Sequence, residues 1–176
     1  MVVIRIEEAS LTLLRKHLLP DKSHREQGAF LFCRHSVFAD GEYIFDCQNW
    51  VALNPEDYEF QENDYLELKD KTRARLIKQA HDGQFSLVES HSHPGPFPAA
   101  FSWSDMNGLK EFVPHVKWRL PGRPYGALVF AQSGFDGLAW TSASSAPQQV
   151  NAIDTGNRRI SSTGLTLNSK VGNGQI

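Results

Sequence analysis

The sequence predicts an α/β protein in which a mixed, largely antiparallel central sheet is flanked by helices. Three observations lead there. Short runs rich in aromatic and β-branched residues alternate with leucine-bearing runs at helical spacing. Two pairs of the strand-like runs are joined by compact Gly-containing turns, as antiparallel hairpins are. Two helix-like runs, 70–81 and 102–118, lie on either side of one strand-like run, which calls for crossovers and mixed strand directions.

Residues 2–7 alternate apolar and polar like a half-buried strand, and 10–19 place leucines on one helical face behind a possible Ser10 cap. Residues 28–38 and 43–53 read as strands across Ala39-Asp40-Gly41-Glu42, and this hairpin is expected at the centre of the sheet. The acidic, turn-rich stretch 54–64 leads to a short strand at 65–68 and an amphipathic helix at 70–81 that ends before Asp82-Gly83. Residues 85–90 form the next strand, and 102–118 the next helix. Pro121-Gly122-Arg123-Pro124 is a loop, 125–132 a buried strand and 138–142 its hairpin partner across 133–137. Beyond 142, polar residues dominate. The expected division is one domain over 1–145 and a polar tail or linker over 146–176, in which 150–153 and 159–160 can add only an edge strand. The terminal residues have the composition of a linker, as in a chain cut from a longer fusion.

With 176 residues, 40% hydrophobic and 22% charged, the chain can bury one substantial core. A formal charge of −2 gives no basic footprint, so nucleic acid and anionic membrane are not expected partners. No signal peptide or membrane-length apolar run is evident, and Cys33 and Cys47 read as reduced, buried thiols of a cytoplasmic protein.

The chemistry concentrates in His91-Ser92-His93-Pro94, seven residues, then Ser102-Trp103-Ser104-Asp105. The strand at 85–90 runs into His91, and Pro94 blocks its continuation. Alternation turns His91 and His93 the same way, with Cβ atoms about 6.5–7 Å apart, so both rings can converge on one ion. Ser102 has the position of an N-cap with Asp105 at N3, where the helix dipole keeps the carboxylate ionised. Two imidazoles and one carboxylate are ligands that Zn²⁺ accepts, and a fourth position stays open for water. The expected cofactor is one Zn²⁺ per chain, held by His91, His93 and Asp105. A Ser-x-x-Asp alone is usually only a cap, and a His-x-His pair alone is weak.

Together, residues 91–105 resemble the signature of the JAMM (MPN+, JAB) zinc metalloproteases, His-x-His-Pro, seven residues, Ser-x-x-Asp, at every fixed position. The resemblance implies a JAB/MPN, cytidine-deaminase-like fold. It also implies a prokaryotic-type, deubiquitinase-like isopeptidase that hydrolyses the bond after the C-terminal glycine of a ubiquitin-like protein, by deconjugation or precursor maturation. The family's upstream glutamate, which binds the zinc water and serves as general base, is best matched by Glu26 in Arg25-Glu26-Gln27-Gly28; Glu62 and Glu89 compete. Ser102 is implied as the donor to the developing oxyanion. Implied partners are a ubiquitin-like protein or its conjugate, added as a strand to a sheet edge near the motif, and a ubiquitin-activating-type enzyme fused or encoded alongside. Phe97, Phe101 and Trp103 flank the motif and can line a substrate groove. The alternative is a catalytically silent MPN-type scaffold that binds a ubiquitin-like or partner protein. A third class, a different zinc hydrolase on a related fold such as a deaminase, is disfavoured by the missing His-x-Glu and Pro-Cys-x-x-Cys.

Overall fold

A computed structural model of the chain describes residues 1–21, 24–62, 66–141 and 146–171. β1 (Val2–Arg5) is followed by α1 (Glu8–Leu18) and by the hairpin of β2 (Gly28–Val37) and β3 (Tyr43–Ala52). Next come β4 (Tyr58–Gln61) and β5 (Leu66–Leu68), which pair only with each other, then α2 (Asp70–Gly83) and β6 (Ser86–Ser92). α3 (Trp103–Arg119) leads to β7 (Tyr125–Ala131), β8 (Gly134–Trp140), β9 (Gln148–Asp154), β10 (Arg159–Ser161) and α4 (Leu165–Val171).

The sheet is closed, and this corrects the expected helix-flanked open sheet of JAB/MPN type. The strands run β1-β3-β2-β6-β7-β8-β9, and β9 pairs again with β1, so seven strands form a mixed β-barrel with β10 attached to β9. β1 is the key strand: it pairs in parallel with β3 through Val2↔Tyr43 to Arg5↔Asp46, and in parallel with β9 through Val3↔Ala152 to Arg5↔Asp154. Alternation along a strand is the same in an open sheet and a barrel, so the pattern could not reveal closure. The stretch from 146 expected as a tail supplies β9 and β10. Val150, Ala152 and Ile153 are buried in the barrel wall, whose core they share instead of forming their own.

Two apolar clusters lie on opposite sides of that wall. The inner one takes side chains from all seven strands, among them Ile4, Leu31, Phe45, Val88, Phe130, Phe135 and Val150. α1 covers it with Leu11, Leu14 and Leu18, three positions of one helical stripe. The outer cluster lies under α2 and α3, where Leu76, Ile77 and Ala80 of α2 and Leu109, Val113 and Val116 of α3 meet Phe30, Phe32, Leu87, Val129 and Leu138. Strand β6 separates the two: Leu87 faces the helices, and Val88 faces the barrel interior. His91 shares the phase of Leu87, which turns it toward the helical side.

Boundaries otherwise fall close to expectation, with four differences. α1 begins at Glu8 with no side-chain cap, so Ser10 is an interior residue. α2 runs through Asp82-Gly83 and ends at Gln84, which adopts left-handed backbone at φ 56°. β8 begins at Gly134, four residues before its expected start. β4 and α4 were not expected. The expected start of the short strand, Tyr65, is outside the described residues, as are residues 142–145 between β8 and β9, including the expected strand end Ser142, and those after Val171.

Candidate metal centre

His91 and His93 are placed by β6 and its extension. β6 pairs antiparallel with β2, with His91 opposite Gly28, and parallel with β7, with His91 opposite Val129. Ser92 faces the other way and ties the strand end to Gln27: its N–H donates to Gln27 O at 3.0 Å, and its Oγ accepts from Gln27 N–H at 3.0 Å. The ladder reaches one residue further, with His93 N–H donating to Phe130 O at 2.8 Å. Pro94 has no N–H to continue it. The two ring Nε2 atoms stand 3.2 Å apart.

Asp105 arrives from α3. Ser102 caps this helix: its Oγ accepts from Asp105 N–H at 3.1 Å, and its N–H donates to Asp105 Oδ2 at 2.7 Å, the two arms of a capping box. The box orients the carboxylate toward the histidines, with Oδ2 3.2 Å from His93 Nε2 and Oδ1 3.5 Å from His91 Nε2. Phe101 lays its edge against the His91 ring, centroids 5.7 Å apart.

Glu26 completes the cluster. It precedes β2, it is only 4% exposed, and its Oε1 lies 3.5 Å from His93 Nε2. Its backbone is held by residues at the end of β4: Glu26 N–H donates to Glu62 O at 3.1 Å, and Gln61 Nε2 donates to Glu26 O at 2.8 Å. Two residues on, Gly28 N–H donates to Tyr58 Oη at 2.8 Å, and a Cβ on Gly28 would come within 3.0 Å of Leu53 and 3.3 Å of Tyr58 Oη. The Gly two places after the glutamate thus permits the close packing that directs the chain past the histidines.

Glu62 is exposed and meets Glu26 through its backbone carbonyl. Glu89 lies on the His91 face of β6 and accepts a short hydrogen bond from the Tyr125 hydroxyl. Burial pushes the Glu89 carboxyl above its ordinary value, against the opposing effect of Tyr125.

His91, His93 and Asp105 are the one group among the described residues whose ligand atoms lie close enough together to hold a metal ion. Tetrahedral ligands at the roughly 2.0–2.1 Å expected for Zn–N stand about 3.3–3.4 Å from one another. The Nε2–Nε2 separation of 3.2 Å is close to that edge, and the Asp105 carboxylate meets the two rings through different oxygens, Oδ2 toward His93 and Oδ1 toward His91. Electrostatics agree with a cation. Burial disfavours charge on His91, but Asp105, then Glu26 and Glu89, overcome it and raise the imidazole to about 9. Burial likewise opposes ionisation of Asp105, yet His91, His93 and the Ser102 side chain hold it far below the usual carboxylate range. A site whose negative potential favours one positive charge so strongly is suited to a divalent ion in its place.

The cluster opens into a groove of about 1310 Å³ between α2 and α3, floored by β2 and β6. Leu66 and Leu68 of β5, Arg73, Glu89, Trp103 and Phe112 line it. Trp103 at 82% exposure and Phe97 at 78% are accessible, whereas Phe101 is buried behind His91. Residues 99 and 101, next to the cap, are tied to Thr163 and Thr166, a contribution that no local sequence pattern signals. No helix among the described residues is long and apolar enough to cross a membrane, and Cys33 and Cys47 are free thiols. No protein-family model matches the chain, and no curated protein matches it.

Proposed function

We propose that this protein is a zinc-dependent isopeptidase or peptidase that cleaves the bond after the C-terminal glycine of a ubiquitin-like protein. The observation that carries the reading is the convergence of Glu26, a residue 65 positions upstream of His91 in sequence, on the two histidines and the aspartate. A carboxylate beside three ligand groups is what metal-assisted hydrolysis requires. The resemblance of residues 91–105 to the JAMM signature supplies the reaction class; the fold lends it no support.

His91, His93 and Asp105 would hold the ion, which, when bound, lowers the pKa of water and polarises a carbonyl. Glu26 accepts the proton of the attacking water. Hydroxide adds to the scissile carbonyl carbon, and Glu26 then delivers the proton to the leaving nitrogen as the C–N bond breaks, because a lysine amine cannot depart as an anion. Ser102 accepts from Asp105 N–H and so keeps its own hydroxyl proton to donate to the oxyanion that develops. An extended substrate tail can lie in the α2–α3 groove, where β5 offers an edge that, among the described residues, pairs with no strand but β4. Trp103, exposed along the groove, offers an apolar contact.

The intact ligand set with a buried base disfavours the silent-scaffold alternative. A cytoplasmic site of action and a ubiquitin-activating-type enzyme as partner belong to the same reading. Wild-type protein and Glu26→Gln are to be loaded with zinc and offered a ubiquitin-like protein carrying a C-terminal extension. Wild type is expected to release the extension after the terminal glycine and to stop when a chelator is added, with Glu26→Gln slowed at least about 100-fold. Turnover in Glu26→Gln at the wild-type rate, or cleavage indifferent to the chelator, would refute the mechanism.

A further inference from the structure

The two histidines and the aspartate reach the site by unequal routes. His91 and His93 are fixed by the barrel wall, but Asp105 follows residues 93–102, which contain no helix or strand. Something else must set that loop, since an uncertainty of a few tenths of an ångström in Ser102 is passed directly to the carboxylate through the cap.

The C-terminal segment meets the loop at two points. Thr163 Oγ1 donates to Ala99 O at 2.6 Å, and Phe101 N–H donates to Thr166 Oγ1 at 2.9 Å. Thr166 is itself anchored on Asp136 of β8, whose side chain is fully buried. Asp136 Oδ2 accepts from Thr166 N–H at 2.9 Å and from Thr166 Oγ1 at 2.6 Å. Its Oδ1 accepts from Gln149 Nε2 at 2.7 Å, Gly137 N–H at 2.9 Å and Gly164 N–H at 3.2 Å. Bonds to a charged acceptor are short and strong, and a buried carboxylate cannot give one up cheaply. A hydroxyl has one proton, and that of Thr166 is committed to Asp136, so toward Phe101 the oxygen can only accept. The direction of every bond from barrel to loop is therefore fixed.

We infer that residues 163–166 are a strap that sets the metal site, with Thr166 a positioning residue acting through the backbone of Phe101 and Asp136 its anchor. The inference rests on the zinc reading above. Loss of the strap leaves both histidines in place and releases the third ligand, so it lowers metal affinity rather than abolishing the fold.

The test compares full-length wild type, Thr166→Val and Thr166→Ser by two measurements: zinc dissociation constants against a chromophoric chelator, and amide hydrogen exchange over residues 99–102. Thr166→Val, which keeps the shape and loses the hydroxyl, is expected to bind zinc about 10- to 100-fold more weakly, the usual effect of removing a ligand's outer partner, with faster exchange at 99–102. Thr166→Ser keeps the hydroxyl and is expected to restore both. Wild-type affinity and exchange in Thr166→Val would overturn the strap. If wild type itself takes up no zinc, the functional reading fails separately, and the exchange of 99–102 still decides whether the strap holds the loop. Should Thr166→Val not fold, Thr163→Val, which leaves every Asp136 contact in place, is expected to give the same two changes, and its failure to do so refutes the proposal.

Discussion

Asp57 and Asp105 occupy the same local setting and meet different fates. Each accepts the backbone N–H of the residue three places before it, Asn54 at 3.0 Å and Ser102 at 2.7 Å, and each stands in the first turn of a helical segment. The other oxygen of Asp57 takes Thr72 Oγ1 at 3.0 Å and Arg75 Nη2 at 2.8 Å. That of Asp105 faces His91. Both carboxyls titrate below their ordinary value in spite of burial, which raises each. For Asp57 the Asn54 N–H, Thr72 and Arg75 outweigh burial; for Asp105 the histidines do. A guanidinium is a permanent cation with hydrogen-bonding geometry suited to a carboxylate, so Asp57 is spent on holding α2. Imidazoles can surrender their protons to a metal, so Asp105 stays available. A cap at the start of a helix is therefore no sign of function until the partner of its second oxygen is known.

The sharpest way to break the comparison is to remove each carboxylate. Asp105→Ala is expected to lose more zinc affinity than the roughly 100-fold typical of an outer-partner deletion, with a circular dichroism spectrum like wild type. Asp57→Ala should keep its zinc and lose about 2 kcal/mol of stability in urea titration, the scale of a hydrogen bond to a charged group. The opposite pattern would mean that the two roles are misassigned. Glu26→Gln is next, with an expected loss of about 10²- to 10⁴-fold in kcat and unaltered zinc content, since only the proton acceptor is gone. Ser102→Ala is expected to lower kcat about 100-fold through the oxyanion and to cost about 1 kcal/mol as a lost cap, so a change in stability alone would confine Ser102 to capping.

The smallest effect concerns pH. His91 in the metal-free protein titrates at about 9, above its ordinary 6.5, so its contribution to stability is fully present below pH 6.5 and is lost as pH rises through 9. The melting temperature of metal-free protein should fall across that window, and the fall should be smaller in Asp105→Asn. Asp57 has the opposite sign. Its carboxyl is depressed below 3.8, so its contribution is present above that pH and disappears in stronger acid.

The elements of the site were legible because their signals are local. His-x-His at a strand end, a proline that ends the ladder, and Ser-x-x-Asp at a helix start each need only a few neighbouring residues. Glu26 was legible through the resemblance, and the reason for its Gly28 is visible only when Tyr58 and Leu53 press on it. What escaped was long-range. β1 pairs on both edges, and its partner β9 begins 146 residues downstream of Val2, in a stretch whose composition reads as a linker. Strand alternation carries no register between such distant segments, so closure of the barrel was invisible, and with it the correction of the fold class. The strap was missed for the same reason: Thr163 and Thr166 are unremarkable until Asp136 gathers them.

Zinc titration of wild type beside His93→Ala, at neutral pH with X-ray absorption at the zinc edge, probes the metal centre most directly. About one tightly held ion per wild-type chain is expected, coordinated by two imidazoles, one carboxylate oxygen and one water, with no such ion in His93→Ala. A wild-type chain that takes up no zinc, or a His93→Ala chain that binds it with the same affinity and coordination, would contradict the account.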